Sequence, residues 1–383
     1  MTNLFTDEHD MIRETVADFA INRLDPVTEK MDQEDYFPMD IFKEFGELGL
    51  LAPTIPMNFE GAGADYISQG IILEELAKVS PAFSLSIGAH SNLTLDNMFR
   101  NSNDEQKQKF IPDLATGKKL GALALTEPGS GSDALGMKST AQIDGDYFIL
   151  NGSKTFITNA SIADISLLYA KTAPELGARG ISAFIMPMDL KGVSTGEPFD
   201  KMGMRGSLTG EIFMDDVAIH KDNLLGNINE GRTIVMTGLS IERATLAAIS
   251  LGISKTALKI ALNYSVEREQ FNQPISNFQL IQEKLADIYT ESQASHLLVY
   301  WALSVVQKNH RANKEAAASI MYAAELSTKH ALDAVQVLGG YGYMKEYKIE
   351  RFARDAKLLE IGAGTTEIRK LIIARDLIKN LQK

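Results

Sequence analysis

The hydrophobic period of this chain changes twice, and that double switch limits its fold more than any other feature. Up to about Gly121, apolar residues recur every three or four positions, as in MIRETVADFAINRL (11–24), MDIFKEFGELGL (39–50), QGIILEELAKVS (69–80) and DEQKQKFIPDLATG (104–117). Helices with one face on a core read this way. A Pro- and Gly-rich loop, PTIPMNFEGAGADY (53–66), interrupts them. From Gly121 to about Gly231 the period falls to two, in MKSTAQI, YFILNG, KTFITN, ISLLYAKT, GISAFIMP and EIFMDDVAI. Asp144-Gly145 and Asn151-Gly152 separate neighbouring segments and predict hairpin turns. Closely spaced strands joined by such dipeptides predict an antiparallel sheet or barrel, not βαβ units. The helical period then returns in residues 240–265, 278–307, 315–338 and 366–381, four segments long enough for a bundle.

The predicted fold is therefore α+β and multidomain. It has an N-terminal helical domain (1–120), a middle antiparallel β-sheet or barrel domain (121–230) and a C-terminal four-helix bundle (231–383). A length of 383 residues allows two or three domains at about 150 residues each. The formal net charge of −12 argues against nucleic acid, because non-specific binding to phosphate needs cations. The chain has no cysteine, so disulfides, thiolate nucleophiles and Cys-ligated metals are excluded. No two of its histidines stand four apart, and no metal site is expected. The first residues, MTNLFTDEHDMIRETV, lack the apolar core of a signal peptide and the Arg-rich, acid-poor character of a transit peptide. No apolar run approaches the roughly 20 residues of a membrane span. A cytoplasmic protein is expected.

Several motifs carry two readings. Gly129-Ser-Gly131-Ser132-Asp-Ala134 fits the loose dinucleotide pattern G-x-G-x-x-A, but strands follow it where that fingerprint needs a helix. It is either a tight turn or a loop whose backbone N–H groups and Ser132 hydroxyl approach a phosphate. Gly339-Gly340-Tyr341-Gly342-Tyr343 ends a helix. It serves as a glycine C-cap and would also let a ligand lie against backbone. Glu242 precedes Arg243 near the expected start of an apolar helix, where an acidic residue usually complements the helix dipole. Glu360 and Glu367 read as surface or capping residues.

Taken together, ALTEPGSGSD (124–133), NGSKTFITN (151–159), DKMGMRGS (200–207), EREQFNQPI (267–275), QVLGGYGY (336–343) and RDAKLLEIGAGTTEIRKLIIAR (354–375) resemble the acyl-CoA dehydrogenase family. The resemblance runs the length of the chain in family order. It is greatest to the isovaleryl-type members, through GAHSNL (88–93), FDKMGMRGSLTGEIF (199–213), GLSIERA (238–244) and EIGAGTTEIR (360–369). The family reaction is α,β-desaturation of an acyl-CoA thioester. A carboxylate takes the α-proton, the β-hydrogen leaves as hydride to flavin N5, and an electron-transferring flavoprotein accepts the electrons.

The resemblance also implies site residues. Many members carry the base in a Y-E-G-T segment, which here reads Gly362-Ala363-Gly364-Thr365. Isovaleryl-type and some long-chain members carry it on an earlier helix, in a segment like GLxxER, where this chain has Glu242. Loss of a carboxylate at Ala363 and its offer at Glu242 agree, so Glu242 is the implied base. FAD contacts are implied for Leu123, Leu125, Thr126, Gly131, Ser132, Phe156, Ile157, Thr158, Thr365 and Glu367. Arg268, Phe271 and Gln279, with Gln336, Gly339 and Gly340, are implied on the nucleotide side, partly across a subunit interface. Phe156 replaces the family's Trp. Substrate contacts are implied for Ser132, Arg179, Arg243, Gly362, Ala363 and Gly364. The family is usually a homotetramer.

The small residues at 362–364 leave room at the acyl β-carbon and favour a short branched chain. Alternatives are a straight-chain acyl-CoA, an acyl group on a carrier protein, a flavin monooxygenase on the same fold, and a catalytically silent FAD scaffold.

Overall fold

A computed structural model of the chain describes residues 4–381. The first three and last two residues of the expected domain bounds lie outside the described residues. The N-terminal third is helical: α1 (Asp7–Phe19), α2 (Thr28–Glu34), α3 (Met39–Glu47), α4 (Tyr66–Ala77), α5 (Pro81–Gly88), α6 (Asn97–Asn101) and α7 (Asp104–Ala115). Side-chain caps set several of these starts. Thr6 and His9 form a reciprocal capping box on α1, Asn103 and Gln106 form one on α7, and Asp65 caps α4. The loop expected over 53–66 ends at that Asp65 cap. Between α5 and α6 the backbone is a π-helix, Ala89–Asp96. Such wide turns are rare and cluster at functional sites.

The middle third holds β1 (Gly121–Ala124), β2 (Thr140–Asp144), β3 (Tyr147–Thr158), β4 (Ile165–Lys171), β5 (Ile181–Pro187), β6 (Val193–Thr195), β7 (Thr209–His220) and β8 (Leu224–Leu225). They form one sheet in the order β6-β7-β3-β2-β4-β5-β8, with β1 beside β4. Two expectations need correction. The sheet is mixed, because β1 and β2 both run parallel to β4. The β2–β3 hairpin supplies the crossover that a parallel β1–β4 pair requires. Asn151-Gly152 is also not a turn. β3 continues through it and pairs with β7 from Tyr147 to Thr158. A hairpin of that type needs positive φ at both residues, and only Gly152 has it, at 139°. The dipeptide makes a β-bulge instead. Asp144-Gly145 does mark the β2–β3 hairpin, whose last pair is Asp144 with Tyr147.

The last third begins with α8 (Gly231–Glu267), followed by a two-stranded hairpin, β9 (Glu269–Gln270) and β10 (Gln273–Pro274). Then come α9 (Gln279–Lys308), α10 (Asn313–Leu338), α11 (Ile349–Leu359) and α12 (Thr366–Leu381). α8 packs against α4, α9 and α10. At the α8–α4 crossing, a Cβ on Gly252 would stand 2.5 Å from the Glu74 carbonyl, so only glycine permits this approach. One large apolar core joins the N- and C-terminal helices through Phe42, Phe45, Phe83, Ile249, Tyr300 and Phe352. α8 is long and apolar enough to cross a membrane, yet 78% of its most apolar stretch is buried inside the protein. It is a core helix.

Candidate active site

α8 begins at Gly231, so Glu242 lies about three turns into it. The helix-dipole reading of Glu242 is therefore wrong. Its side chain borders a cavity of about 30 Å³ with Leu73, Leu85, Gly88, Ala89, Asn92, Leu93, Thr158, Thr245 and Leu246. That volume holds roughly one water molecule. Burial pushes the Glu242 carboxyl up to about 7, and the nearby Arg243 and Arg369 charges only partly oppose it. A carboxyl held near neutral pH among leucines is suited to take a proton from carbon. Within 30 Å³ the apolar walls from α4, α5 and the π-helix meet the end of β3 and the carboxyl on α8.

The strand side is built on a buried ion pair. Lys154 on β3 is fully buried and its Nζ lies 2.8 Å from a Glu127 oxygen, while also donating to the Leu125 carbonyl at 3.2 Å. Burial lowers the Lys154 ammonium to about 8, although Glu127 opposes the drop. Burial would raise Glu127, but the Lys154 charge and hydrogen bond, with the Ser139 and Lys138 N–H groups, hold it down to about 2. The pair ties β3 to the segment after β1, reinforced by the Thr155 N–H donating to the Thr126 carbonyl at 2.9 Å. Thr126 is thus brought beside Thr155, but Leu123 and Leu125 pack in one apolar cluster and Ile157 in another, so the implied flavin residues do not all face one side. Phe156 sits at a second bulge of β3, with φ 57° and 69% of its surface exposed. The bulge turns this ring outward, where a flat ring system could pack on it.

The Gly-Ser motif is a tight turn: Glu127 and Ser130 exchange backbone hydrogen bonds of 3.3 and 2.9 Å. Gly131 and Ser132 follow it, exposed, and nothing would meet a Cβ on Gly129 or Gly131. Both readings of the motif survive, a turn and an open backbone loop.

The implied FAD residues of the nucleotide side lie at the far end of α8, about 38 Å along the helix from Glu242 at 1.5 Å per residue. There the Arg268 guanidinium lies 5.7 Å from the Tyr341 ring centroid, which brings the β9–β10 hairpin to the 339–343 loop. Phe271, on that hairpin, is 86% exposed at φ 53°, and Gln279, Gln336, Gly339 and Gly340 are exposed beside it. Within one chain these residues do not meet the cavity. Gly339 also ends α10 at φ 62° as its C-cap. Thr365 caps α12 through the Ile368 N–H at 3.4 Å, and exposed Glu367 lies in its first turn. Arg179 is exposed on the β4–β5 connection.

The loop 360–364 is gripped from beneath. Arg243 Nε donates to the Ala363 carbonyl at 2.9 Å, and Arg369 Nη2 donates to the Leu359 and Gly362 carbonyls at 2.7 and 2.5 Å. Both guanidiniums are buried. Ala363 is held at φ 55°, a region that costs a non-glycine residue about 1 kcal/mol or more. Sequence reasoning missed Asn92, Thr245, the Glu127–Lys154 pair and Arg369. An inward-facing Lys in the alternating segment KTFITN was the one available signal for the pair.

Models of the acyl-CoA dehydrogenase N-terminal, middle and C-terminal domains match residues 6–118, 122–217 and 229–378. The chain belongs to the acyl-CoA dehydrogenase family. It is 42% identical over 379 residues to a mitochondrial isovaleryl-CoA dehydrogenase of Solanum tuberosum, covering 98% of this chain and 92% of that one. It is 40% identical to a 3-(aryl)acrylate reductase of Clostridium sporogenes, covering 98% and 100%. Its fold superposes on an acyl-CoA dehydrogenase complexed with FAD from Bacillus anthracis with a TM-score of 0.93 and 36% identity, covering 99% of this chain and 67% of that chain. FAD is the cofactor of the family, and the residues here fit it. Outward Phe156, the open backbone at Gly129 and Gly131, and the uncovered Gly339-Gly340 backbone leave flat and narrow approaches of the kind a flavin and its pyrophosphate need.

Proposed function

We propose that this enzyme desaturates a short branched acyl-CoA of the isovaleryl kind, with Glu242 as the base that removes the α-proton. The observation that carries the reading is the Glu242 carboxyl, raised to about 7 by burial and opening onto a leucine-walled cavity, while the alternative base position holds Ala363. Bound FAD supplies the hydride acceptor that no side chain can. Leu123, Leu125, Thr126, Ile157 and Thr158 would hold the flavin ring against the cavity. Ser132 and the Gly131 backbone would lie along the shared path of cofactor and thioester, and Arg179 near the CoA nucleotide. The buried Arg243 would act on the substrate through the loop it grips. The Ala363 N–H is the donor we assign to the thioester carbonyl, whose oxygen gains charge as the proton leaves.

Small Gly88 and Ala89 line the cavity beside Glu242, and the segment Gly362 to Gly364, where other members carry the base, is also small, which supports a branched chain. An electron-transferring flavoprotein is the proposed acceptor. Exposed Phe271, Leu280, Tyr289, Leu297 and Trp301 on the hairpin and α9 support a homotetramer in which a second copy completes the nucleotide end of the FAD site.

The test is an anaerobic titration of the FAD-loaded protein with a panel of acyl-CoAs, read by flavin absorbance. Bleaching that is fastest with isovaleryl-CoA is expected. Faster bleaching with a straight-chain or arylacyl ester would overturn the substrate, and no bleaching with any ester would overturn the dehydrogenase reading.

A further inference from the structure

Arg369 is the largest fully buried side chain of the protein. Only its Nη2 is used, on two carbonyls, and its Nε and Nη1 find no partner among the described residues. Among the described residues no carboxylate forms a direct ion pair with this buried cation, and the Glu242, Glu360 and Glu325 charges act on it only from a distance; a cation so placed is expensive, so packing alone is a poor account of it. One of the carbonyls it holds, at 2.5 Å, is that of Gly362. This oxygen belongs to the same peptide unit as the N–H of Ala363. No peptide bond among the described residues is cis, and in a trans unit the C=O and N–H point in opposite directions. Pulling the Gly362 carbonyl toward Arg369 therefore aims the Ala363 N–H away from the buried cation. That N–H has no acceptor among the described residues. Arg243 holds the carbonyl of the following peptide unit, that of Ala363, at 2.9 Å, so the units on both sides of Ala363 are held and Ala363 stays at φ 55°.

We propose that Arg369 is a positioning residue for the reaction: through the Gly362 carbonyl it orients and polarises the Ala363 N–H that meets the substrate's thioester oxygen. Hydrogen bonds in a chain strengthen one another, and a charged donor on the carbonyl makes the N–H of the same amide more acidic. The charge on Arg369 reaches the enolate oxygen through one rigid amide without touching it. This inference rests on the proposed desaturation, in which Ala363 N–H is the donor.

The experiment uses the FAD-loaded enzyme, wild type, Arg369→Gln and Arg369→Lys. The probe is a 3-thia-acyl-CoA carrying 13C at the thioester carbonyl, which the enzyme can bind but not oxidise because β-sulfur has no hydride to give. Isotope-edited infrared difference spectra report the carbonyl stretch. In the wild type the band should lie below its position in water. In both variants it should move back toward that position, and the rate of flavin reduction by substrate should fall about 10- to 100-fold with KM within about threefold, since losing a whole oxyanion donor costs 10²–10³. Arg369→Lys keeps the charge with fewer donors, so it remains informative if Arg369→Gln does not fold. An unchanged band and rate in a flavin-replete variant would reduce Arg369 to packing and overturn the proposal. A wild-type band at its position in water, with no bleaching by any acyl-CoA, would instead remove the desaturation reading beneath it.

Discussion

Replacing Glu242 with glutamine should make the protein more stable and inactive at once, and the gain should depend on pH. The folded carboxyl ionises near 7 against an ordinary 4.5, mainly because it is buried. That gap corresponds to about 3 kcal/mol at 1.36 kcal/mol per pH unit. The sign follows from proton binding. Between pH 4.5 and 7 the folded state holds a proton that the unfolded chain has lost, so stability falls as pH rises through this window. Above 7 the folded protein carries the full cost of a buried carboxylate. Glutamine has nearly the shape of the neutral acid and does not titrate. The variant should therefore gain little at pH 5 and about 2.5 kcal/mol more at pH 8, on the same conversion. Thermal unfolding of the FAD-loaded protein, followed by circular dichroism at both pH values, reads this as a melting-temperature difference that widens with pH. The same preparation should bind FAD normally and fail to bleach with any acyl-CoA, while the wild-type reduction rate should fall about tenfold per pH unit below 7. Equal melting differences at pH 5 and 8 would refute the buried-carboxyl argument, and retained bleaching would refute Glu242 as base.

Two further outcomes follow from the scaffold. Lys154→Met leaves Glu127 buried without its cation and should destabilise the protein by about 3–5 kcal/mol. Because the pair anchors Leu125 and Thr126, the purified variant should also show a reduced ratio of flavin to protein absorbance. His90 bridges the Leu114 carbonyl and the Gly121 N–H at 3.0 Å each, and burial lowers its ring to about 4. His90→Leu should cost about 1–3 kcal/mol in urea unfolding at pH 8, and that difference should shrink as pH falls below 6.5, where only the unfolded wild type gains a proton.

The three-part order was legible because it rests on period, and period follows from which side of an element meets the core. Elements whose form depends on distant partners were not legible. Asn151-Gly152 has the local chemistry of a turn, but the length of β7 beside it keeps β3 running straight through. The parallel β1–β4 pair leaves no local trace, since it arises from a crossover around a hairpin. Glu242 was found by its place in a likeness, while its local context suggested a capping charge. Only the true start of α8, at Gly231, shows why that suggestion fails. Arg369 was invisible because KLIIAR and EIRKL read as an ordinary amphipathic helix, and nothing in the pattern says which basic residue turns inward.

The proposed base, Glu242, rides on α8, and the loop proposed to shape the acyl end, Gly362 to Gly364, belongs to a different segment of the chain. A lineage that needs another substrate can therefore alter that loop residue by residue without passing through an ancestor that has lost its proton acceptor. Where a carboxylate shares the loop with the pocket wall, each change of pocket puts chemistry at risk. On the proposed assignment of Glu242, the substrate range is free to drift while the reaction is kept.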